Sequence, residues 1–262
     1  MDLSGHSKKK EKSERRAKMK KTLYIIHGWT YTVSHWEETI RLLEDYGIEV
    51  KMLRVPGLTS KSDKVWTIDD YAKWADQNIP DGAVALGHSN GGRILLNLLE
   101  SKPNKLRRVI LLDAAGVYEE SKKREIVRRI SKAMSIFKSI KPLRKVYHKL
   151  AGASDYDRAP ENMKKTLTNM VDSDKDLDFS AITTPAIILW GKSDTVTPPR
   201  QALKMHKLLK NSTLKLFDDW THAPYICDPE GLARAIYVAL ETEPSRSVNR
   251  PEKDGEENPS VR

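Results

Sequence analysis

Residues 83–101 read AVALGHSNGGRILLNLLES, and this stretch decides the fold. Ala83–Gly87 is a short apolar run of the kind that forms a buried strand, and from Asn90 the leucines and isoleucine recur at helical spacing. Between the two stands Gly87-His88-Ser89-Asn90-Gly91. Gly-x-Ser-x-Gly alone is a common string. A strand before it and a helix after it are the setting of a nucleophile elbow, in which a serine sits on a sharp, strained turn with its Oγ pushed outward. Gly87 and Gly91 stand where a Cβ would clash, and Gly92 lets the helix pack close to the strand. The plainer reading, a glycine-rich turn with an incidental serine, is disfavoured by that setting.

Outward from this unit, short β-branched runs alternate with helical patterns. Strands are expected at 22–27, 48–55, 83–87, 108–113, 185–190 and 213–217. Helices are expected at 34–46, 67–78, 90–101, 199–209 and 229–242. Ser34 with Glu37 suits a capping box, and Pro199 and Pro229 suit first-turn positions. Strands apolar on both faces and alternating with helices imply an α/β fold: a doubly wound, mostly parallel sheet of about six strands, covered on both sides. From residue 118 to 180 the alternation stops. A basic amphipathic helical run (KKREIVRRISKAMSIFKSIKPLRKVYHKL) is followed by a polar region to Asp178. This is a helical insertion between two strands, read either as a solvated excursion or as a lid or cap over the site. The expected organisation is a basic disordered arm at 1–21, a core at 22–117 and 181–243, the insertion at 118–180, and a disordered tail at 244–262.

The net charge of +10 is unevenly placed. The arm carries a net +6, residues 119–150 a net +8 and residues 241–262 a net −2, which leaves the body close to neutral. A nucleic-acid-binding domain would build its basic face into the fold, so no specific nucleic-acid partner is expected. No apolar run approaches the ~20 residues that span a bilayer, and no apolar segment follows the basic start as in a secretory signal. A single cysteine, Cys227, allows no internal disulfide. The expectation is a cytoplasmic protein.

A serine hydroxyl is a poor nucleophile until a base takes its proton. Of the seven histidines, His222 fits that task best, in the polar loop DDWTHAP just after the last expected strand. Sites collect at that edge of open α/β sheets. His6, His27, His35, His88, His148 and His206 lie in turns, on helices or in the arm, and read as structural or solvated. For the acid that orients the base, Asp194 follows the strand PAIILW in the stretch WGKSDTVTPP. Asp113, which ends RVILLD, is its rival. Asp218 and Asp219 lie too near His222 in sequence to be first choices.

The pieces HGW, GHSNGG, GKSDTVTPP and THAPYICDPE, in that order across 22–242, resemble those of the α/β-hydrolase family. The resemblance implies that the residue after the His-Gly pair and the residue after the nucleophile donate backbone N–H groups to an oxyanion; here these are Trp29 and Asn90. HGWTYTVSHWEE is also similar to the same region of carboxylesterases that act on pimeloyl-acyl-carrier-protein methyl ester. Two departures stand out. The family usually opens with a strand hairpin, whereas only the basic arm precedes Thr22, so the sheet should be a shortened one. Arg54-Val55-Pro56-Gly57-Leu58 lacks the acidic residue commonly found before the Pro-Gly and the second glycine after it.

The expected activity is hydrolysis of a carboxylic ester or related acyl bond on a small-molecule substrate, by a Ser89–His222–Asp194 triad with no metal or organic cofactor. Carbon–carbon bond hydrolysis or perhydrolysis on the same triad is the enzymatic alternative, and a non-catalytic ligand-binding module is the other. Read as a lid, the basic insertion offers a positive face to an acidic carrier protein or an anionic surface; the alternative is a solvated face with no such partner.

Overall fold

The computed structural model describes residues 21–119 and 159–242. The arm before Lys21, the tail from residue 243 and residues 120–158, which hold most of the basic run, lie outside the described residues, and with them those parts of the expected organisation. Six strands form one sheet: β1 (Lys21–Ile26), β2 (Ile48–Met52), β3 (Ala83–His88), β4 (Leu106–Leu112), β5 (Ala186–Gly191) and β6 (Ser212–Phe217). Their order is β2-β1-β3-β4-β5-β6 and every pairing is parallel. The expected doubly wound sheet of six strands is therefore the observed one, and β1 begins one residue earlier than expected, at Lys21.

Successive strand residues serve opposite layers, as a period of two requires. Leu23, Ile25, Val84, Leu86, Ile110, Leu112 and Leu189 face α1 (Glu37–Asp45) and the long C-terminal helix Pro229–Glu241, through Trp36, Leu43, Leu232 and Ile236. Ile26, Ala85, Val109, Leu111, Ile188 and Trp190 face the other layer. That layer comprises α2 (Ile68–Asn78), α3 (Asn90–Ser101), α4 (Glu161–Asp172) and α5 (Pro199–Leu208). Two further helices, α6 (Pro224–Cys227) and α7 (Pro229–Glu241), follow β6. Each fully buried leucine or isoleucine contributes roughly 1.5–3 kcal/mol, so two continuous apolar layers hold the sheet.

Pro199 and Pro229 occupy the expected first turns. The Ser34–Glu37 capping box does not form. Ser34 opens a short 3₁₀ turn, and Trp36 stands at the start of α1 with no side-chain cap. The preceding threonine takes up the serine instead, with Thr32 Oγ1 and Ser34 Oγ 3.0 Å apart. A capping box forms at α2, where Thr67 and Asp70 satisfy each other's backbone N–H groups. The polar reading of the stretch before Asp178 is also corrected, since residues 161–172 are α4. Its Met163, Leu167, Met170 and Val171 stripe is buried, and Trp66 N–H donates to Thr166 Oγ1 at 2.9 Å. At the opposite, N-terminal edge of the sheet, Lys21 pairs with Glu241, and the Arg108 guanidinium donates to the carbonyls of Ala239 and Thr242. Among the described residues no helix is long and apolar enough to cross a membrane.

Candidate active site

The order β2-β1-β3 reverses direction between β1 and β3, and in such sheets ligands bind outside the carboxyl ends of the strands at that switch point. The segments leaving the carboxyl ends of β1, β3, β4, β5 and β6 carry Trp29, Ser89, Asp113, Asp194 and His222 respectively. Ser89 sits between β3 and α3 with φ +52° and ψ −119°, a conformation costing of order 1–3 kcal/mol for a residue with a Cβ. The surroundings hold it there: its N–H donates to the Leu112 carbonyl (3.1 Å) and its carbonyl accepts from Ala115 N–H (2.9 Å). A Cβ on Gly91 would run into the Ile26 carbonyl, and one on Gly87 would lie 2.6 Å from Gly92. Only glycine lets the strand, the turn and the helix approach this closely.

The structure brings Ser89, His222 and Asp194 together. Ser89 Oγ lies 3.0 Å from His222 Nε2, and His222 Nδ1 lies 2.8 Å from Asp194 Oδ2. The carboxylate fixes the tautomer: Nδ1 carries the hydrogen that Asp194 accepts, and Nε2 is free to accept from the serine hydroxyl. Asp194 is nearly enclosed. Its Oδ1 accepts from the N–H groups of Val196 (2.7 Å) and Thr197 (3.0 Å), and its Oδ2 accepts from Thr197 Oγ1 (2.6 Å). Burial pushes this carboxyl upward, but the His222 ring and these donors outweigh it and hold the group below the usual carboxylate range. Asp113 does not reach His222 within hydrogen-bond distance; it lies beneath Asp194, with Oδ1 accepting from Gly191 N–H at 2.8 Å.

Trp29 and Asn90, the residues the resemblance assigns to an oxyanion, follow β1 and Ser89 respectively. Neither backbone N–H donates to another described residue. Two histidines brace this region. His27 donates from Nδ1 to the Gly28 carbonyl (2.7 Å) and accepts at Nε2 from Thr59 Oγ1 (2.8 Å), tying the Gly28–Trp29 loop to the loop after β2. His88 donates from Nε2 to the backbone carbonyl of His222 at 2.7 Å and so anchors the segment that carries the imidazole. Burial holds both rings neutral, lowering His27 to about 4 and His88 to about 3. From sequence both rings read only as structural or solvated, and these contacts, one of them spanning 134 residues of sequence, were not legible.

Beside Ser89 lies a cleft lined by Asn90, Arg93, Val117, Asp174, Val196 and Gln201 among others. Its wall holds a buried ion pair. Arg93 Nε and Nη2 grip Asp174 Oδ1 and Oδ2 at 2.6 and 2.8 Å, while Nη1 donates to Asn90 Oδ1. Sequence gave no sign of this link, because Asp174 is one of many acids in a polar stretch.

Residues 17–229 match the family described as serine aminopeptidase, S33. A pimeloyl-[acyl-carrier protein] methyl ester esterase of Vibrio campbellii is 22% identical over 237 residues, which covers 82% of this chain and 92% of that protein. Among solved structures, a putative lipase from Acinetobacter baumannii superposes with a TM-score of 0.67 at 20% identity, covering 85% of this chain and 84% of its own. A meta-cleavage product hydrolase from Pseudomonas fluorescens gives 0.62 at 16%, over 84% and 90%.

Proposed function

The chain belongs to the serine aminopeptidase S33 family of α/β hydrolases, and on that footing we propose that it hydrolyses a carboxylic ester or related acyl bond, with Ser89 as nucleophile, His222 as base and Asp194 as the acid that orients it. The observation that carries this reading is the chain of contacts from Ser89 Oγ to His222 Nε2 (3.0 Å) and from His222 Nδ1 to Asp194 Oδ2 (2.8 Å), beginning at a strained elbow. His222 takes the hydroxyl proton as Ser89 attacks the carbonyl carbon. The negative charge developing on the carbonyl oxygen falls to the Trp29 and Asn90 amides, an effect worth about 2.7–4 kcal/mol per donor. His222 then returns the proton to the leaving alcohol. Water, deprotonated by the same imidazole, releases the acid, and Asp194 stabilises the imidazolium in both halves.

Substrate choice rests on the cleft beside Ser89 and on whatever residues 118–180 contribute. Curated relatives are named for an acyl-carrier-protein ester, so a carrier-bound methyl ester belongs in a substrate panel with p-nitrophenyl esters of graded chain length and an aminoacyl anilide. A fluorophosphonate probe should label the protein, and Ser89→Ala should abolish both labelling and ester turnover. Labelling retained by Ser89→Ala would overturn the assignment.

A further inference from the structure

Asp113 has four properties that the hydrolytic cycle above does not use. It follows β4 directly with φ +43°, so it shares with Ser89 the strain of a positive φ in a residue with a Cβ. It is fully buried. Its Oδ1 accepts from Gly191 N–H (2.8 Å), and its main-chain carbonyl lies 3.1 Å from Thr197 Oγ1, the same hydroxyl that donates to Asp194. Its Oδ2 is enclosed and meets no donor among the described residues.

An ionised carboxylate with an enclosed oxygen that accepts nothing leaves a buried charge unsatisfied, a costly arrangement. Protonation converts that oxygen from an orphan acceptor into a donor, and the Asp194 carboxylate, joined to Asp113 through Thr197 Oγ1, is the acceptor assigned to it. We propose that Asp113 is a positioning residue for Asp194, neutral in the resting protein, with its Oδ2 proton donated to the Asp194 carboxylate so that two carboxyls hold one negative charge. Burial first, and the Asp194 charge second, push the Asp113 carboxyl well above the usual range, while Gly191 N–H opposes them. Among the described residues, Cys227 and Tyr225 of α6 are the other titratable groups that act on it. His222 stands on the far side of Asp194. The carboxyl pair thus braces the acid from below as Val196 and Thr197 brace it from the loop, and it keeps a second negative charge away from the imidazole. The proposal rests on Asp194 as the triad acid.

The test is infrared spectroscopy of the full chain together with kinetics on an ester that it turns over. At neutral pH the unmutated protein should show the carbonyl stretch of a protonated carboxylic acid, and Asp113→Asn should lack it. Asparagine keeps an acceptor for Gly191 and an N–H donor for Asp194, so kcat should stay within about threefold of the parent. Asp113→Leu keeps neither, and kcat should fall up to about 100-fold, the scale of a 1 Å misplacement, with KM unchanged. As pH rises, the band of the unmutated protein should bleach and kcat should decline with it, whereas Asp113→Asn should lose that alkaline decline. No protonated-acid band, or a band that survives in Asp113→Asn, would overturn the proposal. So would an Asp113→Asn enzyme as slow as Asp113→Leu with the parental pH profile. The bleaching is read on the unmutated protein whether or not a variant folds. Because Ser89→Ala should leave the band intact, failure of the nucleophile assignment would be seen separately.

Discussion

Gly91 has no side chain, and the site depends on that. A Cβ there meets the Ile26 carbonyl of the neighbouring strand, a backbone atom that moves only if β1 moves. Gly91→Ala should therefore destabilise the fold by ~1–3 kcal/mol, the usual cost of overpacking. It should also lower kcat, because the displaced elbow carries both Ser89 and the Asn90 amide. A thermal melt and a turnover assay on the same sample check it, and a variant with parental melting temperature would contradict the crowding. The necessity of Gly87 and Gly91 was readable from their spacing around Ser89. His222 and Asp194 were readable as candidates, since each follows an apolar strand at the edge where such sheets bind ligands. The choice between Asp194 and Asp113 was not readable. Both follow apolar strands, and only the loop geometry, which brings Asp194 to His222 and turns Asp113 to the Gly191 N–H, separates them.

At the scale of elements, α3 is unusual in being buried from Asn90 to Leu99, with a charged side chain inside it. Arg93 is tolerated because Asp174, on the turn after α4, meets it with two hydrogen bonds. Breaking such a pair leaves an unpartnered buried charge, while replacing both members with apolar residues is often neutral. Asp174→Asn should thus cost about 3–5 kcal/mol, and Arg93→Met with Asp174→Leu much less. Denaturant unfolding of the two variants measures this, and equal losses would show that the pair carries no special cost. Only the double variant removes the tie from Arg93 to Asn90, so its kcat against that of Asp174→Asn reports whether that tie matters to the elbow. Core helices such as α2 and α3 were legible because strands bracket them. α4 was not, although Met163, Leu167, Met170 and Val171 keep helical spacing, because lysines and threonines dilute the stripe. The Ser34–Glu37 pair misled because Val33–Trp36 tightens into a 3₁₀ turn, which leaves Ser34 a turn away from the helix start.

The whole molecule should respond to acid through its buried rings. His27 and His88 have folded-state values of about 4 and about 3, below the ordinary 6.5, so the unfolded chain takes up their protons first. Stability is then present above pH 6.5 and is lost as pH falls through that window, by up to ~1.4 kcal/mol per pH unit for each ring. Asp113 acts in the opposite sense. Its raised value means that the folded state keeps a proton the unfolded chain has released, so its contribution declines as pH rises above 3.8. Melting temperature measured from pH 7 to pH 4 should fall, and His88→Gln should make that fall shallower. An unchanged slope would show that His88 is not the buried neutral ring described.

The described body closes on itself away from its site. Lys21, at the start of β1, pairs with Glu241, at the end of α7, while every residue proposed for chemistry lies at the opposite edge of the sheet. A parallel sheet fixes which loops meet at each edge but not where along the circuit the polypeptide begins. A short linker joining residues 21 and 242 would make the chain a ring, and a new opening at Asp81–Gly82, the exposed turn before β3, would cut only on the edge that holds no chemistry. The sheet order would be preserved in such a circular permutant, as would the meeting of Ser89, Asp194 and His222, now in the chain order in which they already stand.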